Sequence, residues 1–126
     1  MSIKKVLLIE DTTTKYMDIF RYLRRYDFDV TWVTNAEEAL KSIEETKNEP
    51  YDLIISDMHF DFFGVNDEEA GEKTMKRIRE KGCDTPIVFC SSRNWKIPGA
   101  VGNIFYNPRS DWELEADRLF RELKAM

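Results

Sequence analysis

The sequence predicts an α/β protein built on a doubly wound, five-stranded parallel sheet. Three observations predict it. Short apolar runs recur along the chain: Val6-Leu7-Leu8-Ile9, Leu53-Ile54-Ile55 and Ile87-Val88-Phe89-Cys90. Each suits a strand buried on both faces. Between them lie segments with apolar residues at helical spacing, and strands alternating with helices give a parallel sheet covered on both sides. The three runs end in Glu10-Asp11, Asp57 and Ser91-Ser92. In open α/β sheets the carboxyl edge of the strands is where ligand sites sit.

The elements follow in order. Strand one is Lys4–Ile9, and the spacing of Tyr16, Ile19, Phe20 and Leu23 predicts a helix from about Thr14 to Tyr26. Arg21, Arg24 and Arg25 fall toward its end, where cations suit the helix dipole. Strand two covers Asp29–Val33. Asn35 with Glu38 forms a capping box that opens the second helix, whose buried face is Ala36, Ala39, Leu40 and Ile43. The polar run Glu44–Glu49 ends it. Strand three is Tyr51–Ser56. His59–Ala70 reads as a loop, acidic and aromatic, and longer than the ~2–6 residues usual between a strand and a helix. The third helix spans about Gly71–Lys81, with Met75 and Ile78 inward and Gly82 as its stop. Strand four is Pro86–Cys90. Pro98, Gly99 and Gly102 argue against a long helix in Ser91–Asn103. Strand five is about Asn103–Tyr106, followed by Asn107-Pro108. Ser110 and Glu113 form a second capping box, opening a final helix to about Ala125 on a stripe of Trp112, Ala116, Leu119, Phe120 and Leu123.

Composition bounds the function. The 126 residues fit one domain, 42% hydrophobic and 34% charged, as in an ordinary globular protein. A net charge of −5 argues against non-specific nucleic-acid binding, which needs a basic surface. No apolar run approaches the ~20 residues of a membrane span, and the apolar run at the start is too short for a secretory signal. Cys83 and Cys90 do not make a disulfide framework, and Cys90 reads as a small core residue. These features together lead to an expectation of the cytoplasm.

The chemistry gathers at one sheet edge. Glu10, Asp11 and Asp57 repel one another unless a cation neutralises them. An all-oxygen set of few carboxylates suits Mg²⁺, which keeps waters and joins a phosphate. Asp57 could then attack phosphorus and form an aspartyl phosphate, with Ser91 hydrogen-bonding a phosphoryl oxygen. Asp11 alone reads equally well as a loop or cap residue; the three strand ends together point to a site. The lone His59 reads as a solvated loop residue. No Cys/His metal spacing, Gly-rich phosphate loop or Ser/His/Asp triad is present.

The chain resembles the response-regulator receiver domains of two-component signalling. The resemblance rests on Val-Leu-Leu-Ile-Glu-Asp at 6–11, Asp-Leu-Ile-Ile-Ser-Asp at 52–57 and Thr-Pro-Ile-Val-Phe-Cys-Ser at 85–91. It implies a flavodoxin-like (βα)5 receiver fold and a single receiver domain over 1–126 with no output domain. It implies a phosphoryl group accepted on Asp57 from a histidine kinase or phosphotransfer protein. Asp11, Asp57 and the backbone carbonyl of His59 would hold Mg²⁺, with Glu10 acting through water. Ser91 takes the place of the switch hydroxyl, and His59 and Arg93 match positions that tune phosphate lifetime. No turnover activity is expected. Signalling would run through contacts with an unidentified downstream protein, without nucleic acid or membrane; a weak homodimer is left open.

Three departures accompany the resemblance. The family's lysine after strand five is Asn107 here, which offers a neutral hydrogen bond in place of a charge; Arg93, Lys96 and Arg109 are the candidates to restore it. The loop after Asp57 is about six residues long for the family, so the motif's glycine aligns with Gly71, and Phe60, Phe62 and Phe63 are expected to pack rather than cover the site. The Ser91–Asn107 segment is short, leaving the fourth helix short or missing, with Ile104 where the family places a switch aromatic. Asn107 and the missing helix favour a rival reading, a pseudo-receiver that acts as an interaction module without phosphorylation. A hydrolase using Asp57 as nucleophile fits less well, because no second acid follows cleanly.

Overall fold

The computed structural model describes residues 4–107 and 109–125; Pro108, named above after Asn107, and the first three residues lie outside them. Its elements are β1 (Lys5–Ile9), α1 (Thr13–Arg25), β2 (Asp29–Val33), α2 (Ala36–Glu45), β3 (Leu53–Ser56), β4 (Phe60–Phe62), β5 (Val65–Asp67), α3 (Ala70–Glu80), β6 (Ile87–Ser91), β7 (Gly102–Phe105) and α4 (Trp112–Lys124). The main sheet has five strands in the order β2-β1-β3-β6-β7. Every pairing in it is parallel.

Alternation along the strands divides the core in two. Leu7, Ile9, Ile54 and Phe89 face α2 and α3, packing on Ala39, Leu40, Met75 and Ile78. Val6, Leu8, Ile55, Val88 and Ile104 face α1 and α4, packing on Ile19, Leu23, Ala116 and Phe120. The central strands β1, β3 and β6 are buried on both faces, which is why they read as continuous apolar runs. β2 is an edge strand with exposed residues. Among the described residues no helix is long and apolar enough to cross a membrane.

Several expectations meet their structure here. The Asn35 side chain accepts the Glu38 N–H at 2.9 Å, capping α2 as the sequence predicts. Gly82 follows α3 at φ +81, the left-handed step that ends a helix. No helix joins β6 to β7: residues 92–101 form a loop, so the fourth helix of the expected five is missing. The Ser110–Glu113 box does not form. Asp111 is the N-cap of α4 and makes no side-chain cap bond. The Ser110 hydroxyl instead donates back to the carbonyls of Phe105 and Asn107.

The segment after Asp57 also differs from the expected loop. Residues 60–67 fold into an antiparallel hairpin, β4–β5, pairing Phe60 with Asp67 and Phe62 with Val65. Its two-residue turn, Phe63-Gly64, has both φ angles positive (53° and 85°), the geometry that matches strand twist. Phe60 is completely buried in the core shared with α2 and α3. Phe62 packs against that core, while Phe63 is half exposed. Phe60 and Phe62 pack, as expected, but from an ordered second sheet, while Phe63 stays exposed at its tip.

Candidate functional site

Three parallel strands deliver their ends to one cleft. The register sets Ile9 beside Ser56 and Ser56 beside Phe89, so Glu10, Asp57 and Ser91 emerge at neighbouring positions of the sheet edge. Carboxylate oxygens of Glu10, Asp11 and Asp57 lie within 4.8 Å of one another. Asp11 and Asp57 open onto a cleft lined further by Thr14, His59, Glu68, Arg93, Trp95 and Tyr106, with Glu10 buried behind them.

Each acid is held differently. Asp57 is fixed by its backbone: its N–H donates to Ile9 O at 2.9 Å, and its Oδ1 accepts the Met58 N–H at 2.7 Å. Among the described residues Oδ2 takes no hydrogen bond. Gly71 lies tight behind this turn, where a Cβ would come within 2.4 Å of the Asp57 carbonyl oxygen. Only a residue without a side chain lets α3 start there, and the Gly71 N–H donates to Met58 O at 2.9 Å. Glu10 is buried, and its Oε2 accepts the Thr12 N–H at 3.1 Å. Its carbonyl accepts the Trp32 indole N–H at 2.7 Å, and that indole stacks on Tyr16 with centroids 3.9 Å apart. Asp11 is exposed on the rim.

A residue absent from the sequence reading completes the group. Lys15, on the first turn of α1, reaches in and is itself buried. Its Nζ lies 3.0 Å from Glu10 Oε1 and 3.1 Å from Asp57 Oδ1. It donates to the Cys90 carbonyl at 2.6 Å. The ammonium thus donates to one carbonyl and forms ion pairs with two carboxylates, which is how a buried lysine stays charged. Burial pushes the Glu10 carboxyl up to about 7 against the pull of Lys15, with Asp57 adding to the rise. Burial works against the Lys15 charge, but Cys90, Glu10 and Asp57 outweigh it and raise the ammonium above its ordinary 10.5.

The remaining predicted residues divide. Ser91 is buried beside the cluster, and its Oγ accepts the Arg93 N–H and the Trp95 indole N–H, both at 3.3 Å. His59 lies on the rim, its Nε2 bonded to Asn66 Oδ1 across the foot of the hairpin. Asn107 is not brought to the cluster: its Oδ1 accepts the Arg109 N–H at 2.9 Å and closes its own turn. Of the expected substitute cations, Arg93 reaches the cleft wall and stacks toward Trp95, while Lys96 and Arg109 do not line the cleft. Among the described residues, the cation paired with Glu10 and Asp57 is Lys15. Ile104 is buried in the core, whereas Tyr106, two residues on, lines the cleft and donates to Asp18 Oδ2. The signal for Lys15 was helical spacing, since it lies four residues before Ile19 on the inward stripe.

The donor set fits a hard divalent cation: three carboxylates, two of them fixed by strands, with Asp57 Oδ2 and the exposed Asp11 open to a ligand. Lys15 shares two of the three acids, so such an ion would meet a resident competing charge.

Comparison with known proteins adds to this geometry. The model for the response regulator receiver domain matches residues 6–99. The autoinducer 2 sensor kinase/phosphatase LuxQ of Vibrio parahaemolyticus is 33% identical over 89 residues, 70% of this chain and 9% of that protein. The transcriptional regulatory protein CiaR of Streptococcus pneumoniae is 32% identical over 89 residues, 71% of this chain and 35% of that protein. The chain thus spans a small part of the length of either relative. Among solved structures, the chemotaxis response regulator CheY4 of Vibrio cholerae aligns with a TM-score of 0.71 at 19% identity, covering 97% of this chain and 99% of that one. The response regulator TrrA of Thermotoga maritima, solved with Mg²⁺ and BeF, aligns with a TM-score of 0.70 at 21% identity, covering 96% and 99%. At that identity these structures speak for the fold.

Proposed function

The chain belongs to the response regulator receiver domain family, and from that premise we propose that it accepts a phosphoryl group on Asp57 from a histidine kinase or phosphotransfer protein. The observation that carries this reading is the placement of Asp57 at the end of β3, within 4.8 Å of Glu10 and Asp11 and beside the buried Ser91. Oδ1 is held by the Met58 N–H and Lys15, so Oδ2 is the oxygen left to attack phosphorus.

Asp11, Asp57 and the His59 carbonyl would hold Mg²⁺, with Glu10 acting through water. The ion would supply positive charge against the acids and the incoming phosphate. The chain's own residues do the rest. The Ser91 hydroxyl leaves its Arg93 and Trp95 donors to bond a phosphoryl oxygen, and Lys15 pairs with Asp57 Oδ1 and so orients the carboxylate. Receiver domains are signalling domains, and the phosphorylated form would act through contacts with a downstream protein.

The buried Lys15 also favours a second reading: an ammonium that already neutralises Glu10 and Asp57 suits a phosphorylation-independent pseudo-receiver. Beryllofluoride, which mimics an aspartyl phosphate, separates the two. Added with Mg²⁺, it should give a saturable tryptophan fluorescence change that Asp57→Asn abolishes. Mg²⁺ binding without any beryllofluoride response would favour the pseudo-receiver.

A further inference from the structure

A cation buried among carboxylates is held there by charge, and here it comes from a helix. Of the three carboxylates clustered at the sheet edge, Glu10 and Asp57 pair with one ammonium. Asn107, Lys96 and Arg109 do not line the cleft, and Arg93, which does, lies over the Trp95 ring and makes no ion pair with Glu10, Asp11 or Asp57 among the described residues. We propose that Lys15 is the catalytic cation of this site, pairing from the first turn of α1 with the phosphoryl group as it arrives on Asp57. The proposal rests on the reading of Asp57 as phospho-acceptor and adds to it the residue that stabilises the transferred charge.

The chemistry requires such a charge to be mobile over a short distance. An Asp57 oxygen forms a bond to phosphorus. The bond between phosphorus and its donor breaks, and the donor leaves with the bonding pair; from acetyl phosphate the leaving group is acetate, and no proton changes hands. The carboxylate charge on Asp57 is thereby replaced by negative charge on the phosphoryl oxygens next to it. Lys15 Nζ, 3.1 Å from Asp57 Oδ1, then loses part of its attraction to that oxygen and gains a stronger one alongside. Its bond to the Cys90 carbonyl at 2.6 Å anchors it on the strand that also carries Ser91. The ammonium, anchored on β6 from α1, and the Ser91 hydroxyl, carried by β6, thus meet the phosphoryl group side by side. A purely structural counter-ion would need none of this, since it would only offset the resting charges of Glu10 and Asp57.

The two roles predict different behaviour toward the metal. Lys15 competes with a divalent ion for Glu10 and Asp57 but helps the phosphoryl group. Lys15→Met should therefore tighten Mg²⁺ binding, read by tryptophan quenching with Mg²⁺ alone, while slowing phosphorylation by acetyl phosphate at least tenfold, read by intact mass. Lys15→Gln, which keeps a donor for the Cys90 carbonyl, should show the same split and serves if the methionine variant fails to fold. Wild-type protein that never gains a phosphoryl group sinks the acceptor reading itself. Wild type that is phosphorylated, with a neutral variant reacting within twofold of it, overturns the Lys15 assignment alone. Slower reaction with equally weakened Mg²⁺ binding marks a damaged site and also overturns it.

Discussion

Lys15 shows how a residue can be plain in the sequence and still be missed. It lies on one helical stripe with Ile19 and Leu23, yet a hydrophobic-stripe reading passes over a lysine as solvated. Only the neighbouring strand ends, brought together from positions 10, 57 and 90, turn it into a buried cation. Glu10, Asp57 and Ser91 were legible because strand ends carry them, and a strand end is a position that sequence can name. Asn107 was named for its place after the last strand, but its side chain bonds locally, a contact that spacing does not encode. Thiol chemistry belongs at this scale too. Both cysteines are free, and burial pushes the Cys90 thiol up to about 12. In native protein at mildly alkaline pH, a disulfide reagent should modify the partly exposed Cys83 and reach Cys90 only after denaturant is added. Two rapidly reacting thiols would contradict the burial of β6.

At the scale of elements, the hairpin β4–β5 is the largest surprise. Its turn is Phe63-Gly64 rather than the Asn-Gly or Asp-Gly that marks such turns, so the segment reads as an acidic loop. Phe60 is what ties the hairpin to α2 and α3. Phe60→Ala should cost about 3–5 kcal/mol in a urea denaturation, whereas Phe63→Ala at the exposed tip should stay within ~0.5 kcal/mol. Similar losses at both positions would mean the tip is packed after all. Asp67 ends β5 and is held below its ordinary 3.8 by the hydrogen bond from Lys73 and the Glu69 N–H. Its folded pKa is depressed, so its contribution is present above the unfolded value and lost as pH falls through the folded one. An NMR titration should find the Asp67 carboxyl titrating below 3.8 and shifting upward in Lys73→Met, which removes the larger of the two hydrogen bonds' effects. Gly71 joins this region to the site. Gly71→Ala would drive a methyl into the Asp57 carbonyl, so it should destabilise by about 1–3 kcal/mol and slow phosphorylation through displacement of Asp57. Unchanged rates would show that the Asp57 turn yields freely.

At the scale of the molecule, the fold was readable because every central strand is buried on both faces. Apolar runs then mark strands, and the helices between them fix a parallel, doubly wound order. The missing helix between β6 and β7 was readable from Pro98, Gly99 and the short spacing. Its consequence was not: Ser91 is tied through its hydroxyl to Trp95 in that same loop. If phosphorylation draws Ser91 inward, the indole loses its partner, so Trp95→Phe should remove most of the fluorescence response to beryllofluoride. The central claim, that Asp57 is a working phospho-acceptor, is tested most directly by intact mass after incubation with acetyl phosphate and Mg²⁺. The account predicts that wild type gains one phosphoryl group, that Asp57→Asn gains none, and that chelating the metal blocks the gain. A wild-type mass that never changes, or an equal gain in Asp57→Asn, would contradict it.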